Sequence, residues 1–181
     1  MGNWLGHFKT ITTHKLRVMR HCFKVGLYRQ GLLHDLSKYT PTEFLSGVRY
    51  YDGTRSPNEY ERLEIGYSRA WLHHKGRNRH HLEYWIDYDP KQGGHMAGLK
   101  MPVNYVVEMF CDRIAACEIY QKEKYTRESP WKYYESSRDH YMIHPDTAAL
   151  LEKLLLMLRD EGEEKTFAYI KTELLKYNRA K

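Results

Sequence analysis

Nothing in this 181-residue sequence approaches the roughly 20 consecutive apolar residues that cross a bilayer. The opening stretch, Met-Gly-Asn-Trp-Leu-Gly-His-Phe-Lys, has neither an apolar signal region nor a cleavage site, so it reads as mature sequence. Only three cysteines occur (Cys22, Cys111, Cys117), without metal-ligand spacing, and they read as buried free thiols of a reducing cytoplasm. Repeats, low-complexity tracts and Gly/Pro/Ser-rich linkers are missing, which predicts one domain over residues 1–181. No run alternates as a strand should, so the expected fold class is all-α. A Lys/Arg run or a nucleic-acid recognition motif is also lacking, which argues against nucleic acid as a partner.

Charge is present but lopsided. Residues 1–50 hold eight Lys or Arg against Asp35 and Glu43, so the whole net charge of +6 lies there. A basic N-terminal helix favours an anionic ligand or is simply a solvated face. Helical signals recur along the chain. Asn3 to Val25 predicts a first helix ended by Gly26, and Gln30–Lys38 a second. Thr40-Pro41-Thr42-Glu43 and Ser56-Pro57-Asn58-Glu59 read as capping boxes opening helices over Pro41–Tyr51 and Pro57–Lys75. A further helix is expected from about Arg79 and a long one over Pro102–Lys122. Ser129 should cap another, and the region 129–178, with helices at Asp146–Arg159 and Glu163–Tyr177, should pack on the core.

Against this background stands an ordered polar series. His14 falls on one helical stripe with Val18, His21, Cys22 and Val25, which points inward; His21 competes with it for the same role. His34-Asp35 follows a short apolar approach, and Lys38 returns to the dyad's face. His73-His74-Lys-Gly-Arg-Asn78-Arg-His80-His81 places two histidine pairs around a turn at Gly76. Asp112 sits in an otherwise apolar helix, where a carboxylate is costly unless paired or metal-bound. Imidazole and carboxylate suit Zn, Mn, Fe and related divalent metals. Seven such groups are too many for one ion and about right for two. Asn78 and Glu108 are placed to orient ligands from behind. Tyr50, Tyr51, Tyr84 and Trp85 are candidates for a stacking wall.

The series resembles the HD superfamily of metal-dependent phosphohydrolases, in which a helical His, a His-Asp dyad often followed by Lys, optional further His and a distal Asp recur. His14, His34, Asp35 and Asp112 match the four core positions, and His74, His80 and His81 the extra ligands of branches with more metals. His34-Asp-Leu-Ser-Lys38-Tyr, Glu43-Phe, His74-x3-Asn78-x-His80-His81 and Asp112-Arg-Ile-Ala-Ala resemble more closely still a family of short bacterial proteins of unknown function. The resemblance implies an HD-like helical bundle with its metal site within residues 14–112. It also implies one or two divalent ions (Fe, Mn, Zn, Co or Ni), with Asp35 and Lys38 as catalytic groups. The implied activity is hydrolysis of a small anionic phosphorylated metabolite such as a nucleotide. A di-iron oxygenase on the same scaffold, or a metal- or ligand-binding protein without turnover, are the rival expectations, and homo-oligomer formation stays open.

Overall fold

The structure, a computed structural model, describes residues 3–90 and 93–176. It is predominantly helical, as expected. Helix α1 (Trp4–Val25) starts where the Asn3 side chain accepts from the Gly6 amide at 2.8 Å. It ends at Gly26, whose φ of 87° lets its amide turn back to the carbonyls of Cys22 and Phe23. Short α2 (Tyr28–Leu33) is followed by a 3-10 turn at Leu36–Tyr39, then α3 (Pro41–Tyr50), α4 (Pro57–Ile65) and α5 (Arg69–Lys75). A 3-10 turn at Leu82–Trp85 leads into strands β1 (Ile86–Asp89) and β2 (His95–Gly98), paired antiparallel with Ile86 opposite Gly98. The long α6 (Val103–Gln121), α7 (Ser129–Glu135), α8 (Pro145–Glu161) and α9 (Glu163–Tyr169) complete the order, with a π turn over Ile170–Leu174.

The core is the meeting of α1, α6, α8 and α9. Val18, Cys22 and Val25 of α1 pack with Val106, Val107, Phe110, Cys111 and Ile114 of α6, and Leu151, Leu154, Leu155 and Leu158 close the other side from α8. Helix α6 is apolar on nearly all sides, as a central helix should be, and this is why its three acids stand out. All three cysteines are free and buried. Among the described residues, no helix is long and apolar enough to cross a membrane.

Four local expectations need correction. The helix expected over Gln30–Lys38 stops at Leu33: His34 is extended (φ −51°, ψ 127°) and Asp35 is left-handed (φ 54°). The helix expected over Pro57–Lys75 is two helices, because Gly66 adopts φ 85° and Ser68 caps α5 by accepting from the Trp71 amide at 3.0 Å. In place of a helix from Arg79 there is the turn and the short hairpin. Neither expected capping box forms, since Thr40 and Ser56 make no side-chain cap bond and Ser129 lies inside α7 rather than before it. The last helix was expected to reach Tyr177, and residue 177, like 178, lies outside the described residues.

Candidate metal centre

Asp35 is the pivot. Lys15 of α1 donates to the carbonyls of Leu32 and His34, at 2.5 and 3.1 Å, and so holds the end of α2 open. Beyond that clamp the chain kinks. Extended His34 and left-handed Asp35 turn both side chains inward, where consecutive helical residues would diverge. A left-handed Asp is a modestly strained conformation that this residue type tolerates better than most.

Two clusters meet at this carboxylate. Asp35 Oδ2 faces the first, lying 3.3 Å from His34 Nε2 and 3.7 Å from His14 Nε2. Asp112 Oδ1 completes it, 2.8 Å from His14 Nε2 and 3.5 Å from His34 Nε2. Asp35 Oδ1 faces the second, 3.4 Å from both His74 Nε2 and His80 Nε2. His74 Nε2 in turn lies 2.8 Å from His81 Nε2. Within each cluster the ligand atoms lie within 4.8 Å of one another. Donors bound at roughly 2.0–2.2 Å from one ion must be packed in this way.

Three observations show that these residues fit a divalent ion. His14 Nε2, His34 Nε2, His80 Nε2 and Asp35 Oδ1 are buried, face the clusters and have no hydrogen-bond partner, although buried polar atoms are ordinarily satisfied. The rear nitrogens are held by carboxylates: Glu108 Oε1 lies 3.0 Å from His34 Nδ1 and 3.2 Å from His80 Nδ1. Glu43 Oε2 lies 2.8 Å from His74 Nδ1, and its Oε1 lies 2.6 Å from His73 Nδ1. A proton on each Nδ1 leaves each Nε2 lone pair to the centre, the carboxylate–histidine–metal pattern. Finally, the field is that of a cation site. Burial opposes charging Asp35, yet His34, Lys38 and His74 hold its carboxyl well below the usual range. Burial likewise fails to raise Asp112, which His14 and His34 hold well below the usual range. His34 is buried too, but Asp35, Asp112 and Glu108 raise its pKa well above the ordinary value, so its Nε2 draws a positive charge, whether a proton or a metal ion. Burial lowers His81, reinforced by His80 and His74, so that ring stays neutral as a ligand must.

His14, His34, Asp35, His74, His80, His81 and Asp112 therefore come together in space, with Glu108 beside His34 and His80. His14 fills the first position. Its competitor His21 points instead to Glu118, with Nε2 3.3 Å from Oε1, against the Phe167 ring. Asn78 stands beside His74, its amide nitrogen 3.1 Å from His74 Nδ1. Its amide nitrogen donates to the His74 carbonyl and to Ser37 Oγ, both at 2.8 Å, tying the histidine turn to the segment after the dyad. Lys38 lies at the rim: its side chain is 29% exposed against 2% for Asp35, and Nζ is 2.6 Å from Asp35 Oδ2. Burial opposes the Lys38 charge, but Asp35 and Asp112 raise its pKa.

The aromatic wall does not form. Tyr51 bonds Thr10 and lines a shallow pocket with Tyr50, whereas Tyr84 and Trp85 contact each other, and no ring contact joins the pairs among the described residues. The basic charge of α1 is partly spent in ion pairs. Arg17, Arg20 and Lys24 line a groove of about 750 Å³, where Glu118 takes Arg17 and Glu163 takes Lys24. Arg113 does not pair with Asp112, its guanidinium lying 5.5–5.7 Å from the rings of Tyr133, Tyr134 and Tyr141.

Two contributors have no site role legible in the sequence, although Glu43-Phe is part of the family resemblance. Glu43 read as a capping-box residue, but it shares the inward face of α3 with Gly47 and Val48. Lys15 looked like one more solvated cation, and no pattern marks it.

Fold and centre together define a helical protein with buried His/Asp/Glu groups able to hold metal ions. By sequence the chain belongs to DUF5662, a family of unknown function whose model matches residues 3–157, a span that includes every residue of the centre. Neither a curated protein nor a solved structure matches it.

Proposed function

We propose that this protein is a two-ion phosphohydrolase acting on a small phosphorylated metabolite, with the HD-like site that its motifs resemble. The observation that carries the reading is Asp35: its two oxygens face separate clusters, so one carboxylate serves both. His14, His34 and Asp112 hold the first ion with it, and His74, His80 and His81 the second. Divalent ions in such a centre supply Lewis-acid polarisation of a phosphoryl oxygen and make water ionisable near neutral pH.

The chain's own groups do the rest. Asp35, Asp112, Glu43 and Glu108 bring four negative charges, which match two divalent ions. Lys38 at the rim is then free to attract a phosphoryl oxygen and stabilise the charge that grows there. Glu108 and Glu43 stand against the Nδ1 atoms of four imidazoles, which turns the Nε2 atoms of His34, His74 and His80 toward the clusters.

The test is a panel of phosphate monoesters, diesters and nucleotides, assayed with purified protein reconstituted with Mn, Fe, Co, Ni or Zn, in air and without oxygen. Metal-dependent release of phosphate that persists without oxygen and disappears in Asp35→Asn supports the reading. Turnover that requires oxygen, or stoichiometric metal with no hydrolysis of any member of the panel, would contradict it.

A further inference from the structure

Glu108 touches ligands of both clusters through one atom. Its Oε1 receives His34 Nδ1 at 3.0 Å from the first cluster and His80 Nδ1 at 3.2 Å from the second. The two rings lie 4.4 Å apart between centroids, 35° from parallel, with both Nδ1 atoms toward that oxygen. Glu108 is 5% exposed, and it precedes Asp112 by one turn of α6. One helix therefore supplies both a ligand and the brace behind two others.

We propose that Glu108 is a positioning residue that couples the two ion sites, so that divalent ions fill them as a pair rather than one after the other. This rests on the two-ion reading above. The reasoning is thermodynamic. An ion taken up by His34 Nε2 fixes that ring, and the ring fixes Glu108 Oε1. The oxygen so placed holds His80, whose Nε2 is one of the buried unpartnered atoms. Asp35 acts in parallel, because an ion on Oδ2 aims Oδ1 at the other cluster. The cost of ordering these shared groups falls on the first ion, and the second finds them ordered, which is positive cooperativity. Repulsion between the ions opposes pairing. The four carboxylates offset it, since a single divalent ion leaves their charge half neutralised.

The coupling should make the second ion bind at least about 10-fold more tightly than the first, within the usual range for linked sites. Glu108→Gln keeps the shape of the side chain. Its amide oxygen, however, is a weaker acceptor than a carboxylate for two imidazole N–H groups.

The experiment is a Mn²⁺ titration of chelator-stripped protein followed by electron paramagnetic resonance, with circular dichroism of each stripped sample as a check on folding. At half of saturating Mn²⁺, wild type should show mainly the multiline signal of exchange-coupled pairs. Glu108→Gln should show isolated six-line Mn²⁺ at the same loading, with overall affinity weakened about 10–100-fold. Isolated Mn²⁺ in half-loaded wild type overturns the coupling, whatever the variant does. So does a Glu108→Gln protein that still fills in pairs. Saturation at one ion per chain, or no binding, overturns the two-ion reading itself and the coupling with it.

Discussion

Oε2 of Glu43 lies 2.8 Å from Nδ1 of His74, joining a helix-start glutamate to a histidine 31 positions later. Burial opposes charging Glu43, but its bonds to His74 and His73 lower its pKa, so it meets those rings as a carboxylate. Glu43→Gln should weaken ion binding at the second cluster about 10–100-fold, with the first cluster less affected. Equilibrium dialysis with Co²⁺ measures this, and unchanged affinity for both ions would show that the contact has no bearing on the centre.

Lys15 carries no ligand atom to either cluster, yet it fixes the carbonyls on either side of the kink that aims Asp35. Lys15→Met keeps most of the stem and removes the donor. Unfolding in urea should show a loss of about 1 kcal/mol, accompanied by weaker metal binding despite an intact ligand set. Equal metal affinity in variant and wild type would detach the clamp from the centre.

Gly47 lies within α3, where replacement by Ala ordinarily gains about 1 kcal/mol of helix propensity. Here an added Cβ would stand 2.1 Å from His7 Nε2, so the buried His7 ring must turn aside or α1 and α3 must part. Gly47→Ala should therefore destabilise, by about 1–3 kcal/mol. A rise in thermal midpoint would show that His7 gives way without cost.

His7 is buried with Nδ1 unpartnered, and burial, aided by the Lys38 charge, lowers its pKa to about 4. The unfolded value is about 6.5. The unfolded chain thus binds the extra proton between these limits, and stability must rise with pH there. The contribution is complete above about 6.5, declines as pH falls toward 4, and amounts to about 3 kcal/mol. In chelator-treated protein, His7→Gln should flatten the stability–pH slope within this window and leave it unchanged below. Equal slopes for the two proteins would mean that His7 is protonated in the fold.

What was legible in the sequence was the chemistry of the centre rather than its backbone. His14 could be placed because α1 keeps a 3.6-residue period from His14 through Val25. Asp112 could be placed because a lone carboxylate among Phe110, Cys111 and Ile114 needs a partner. The kink at His34-Asp35 is hidden in the sequence, because nothing local breaks a helix there; Lys15, distant in sequence, takes the carbonyls of Leu32 and His34. Thr-Pro-x-Glu satisfies a capping pattern, but tertiary contact with two histidines claims the Glu43 side chain instead. The hairpin at Ile86–Gly98 escaped notice because each strand is only four residues long and its alternation is weak.

The central claim, a pair of ions bridged by Asp35, is tested most directly by anomalous scattering from crystals of protein purified without added metal, paired with elemental analysis of the same sample. Two anomalous peaks per chain are expected, one among His14, His34 and Asp112 and one among His74, His80 and His81, with Asp35 between them and close to two equivalents of metal. A single peak, a peak that does not touch Asp35, or none in protein whose clusters superpose on this arrangement would contradict it.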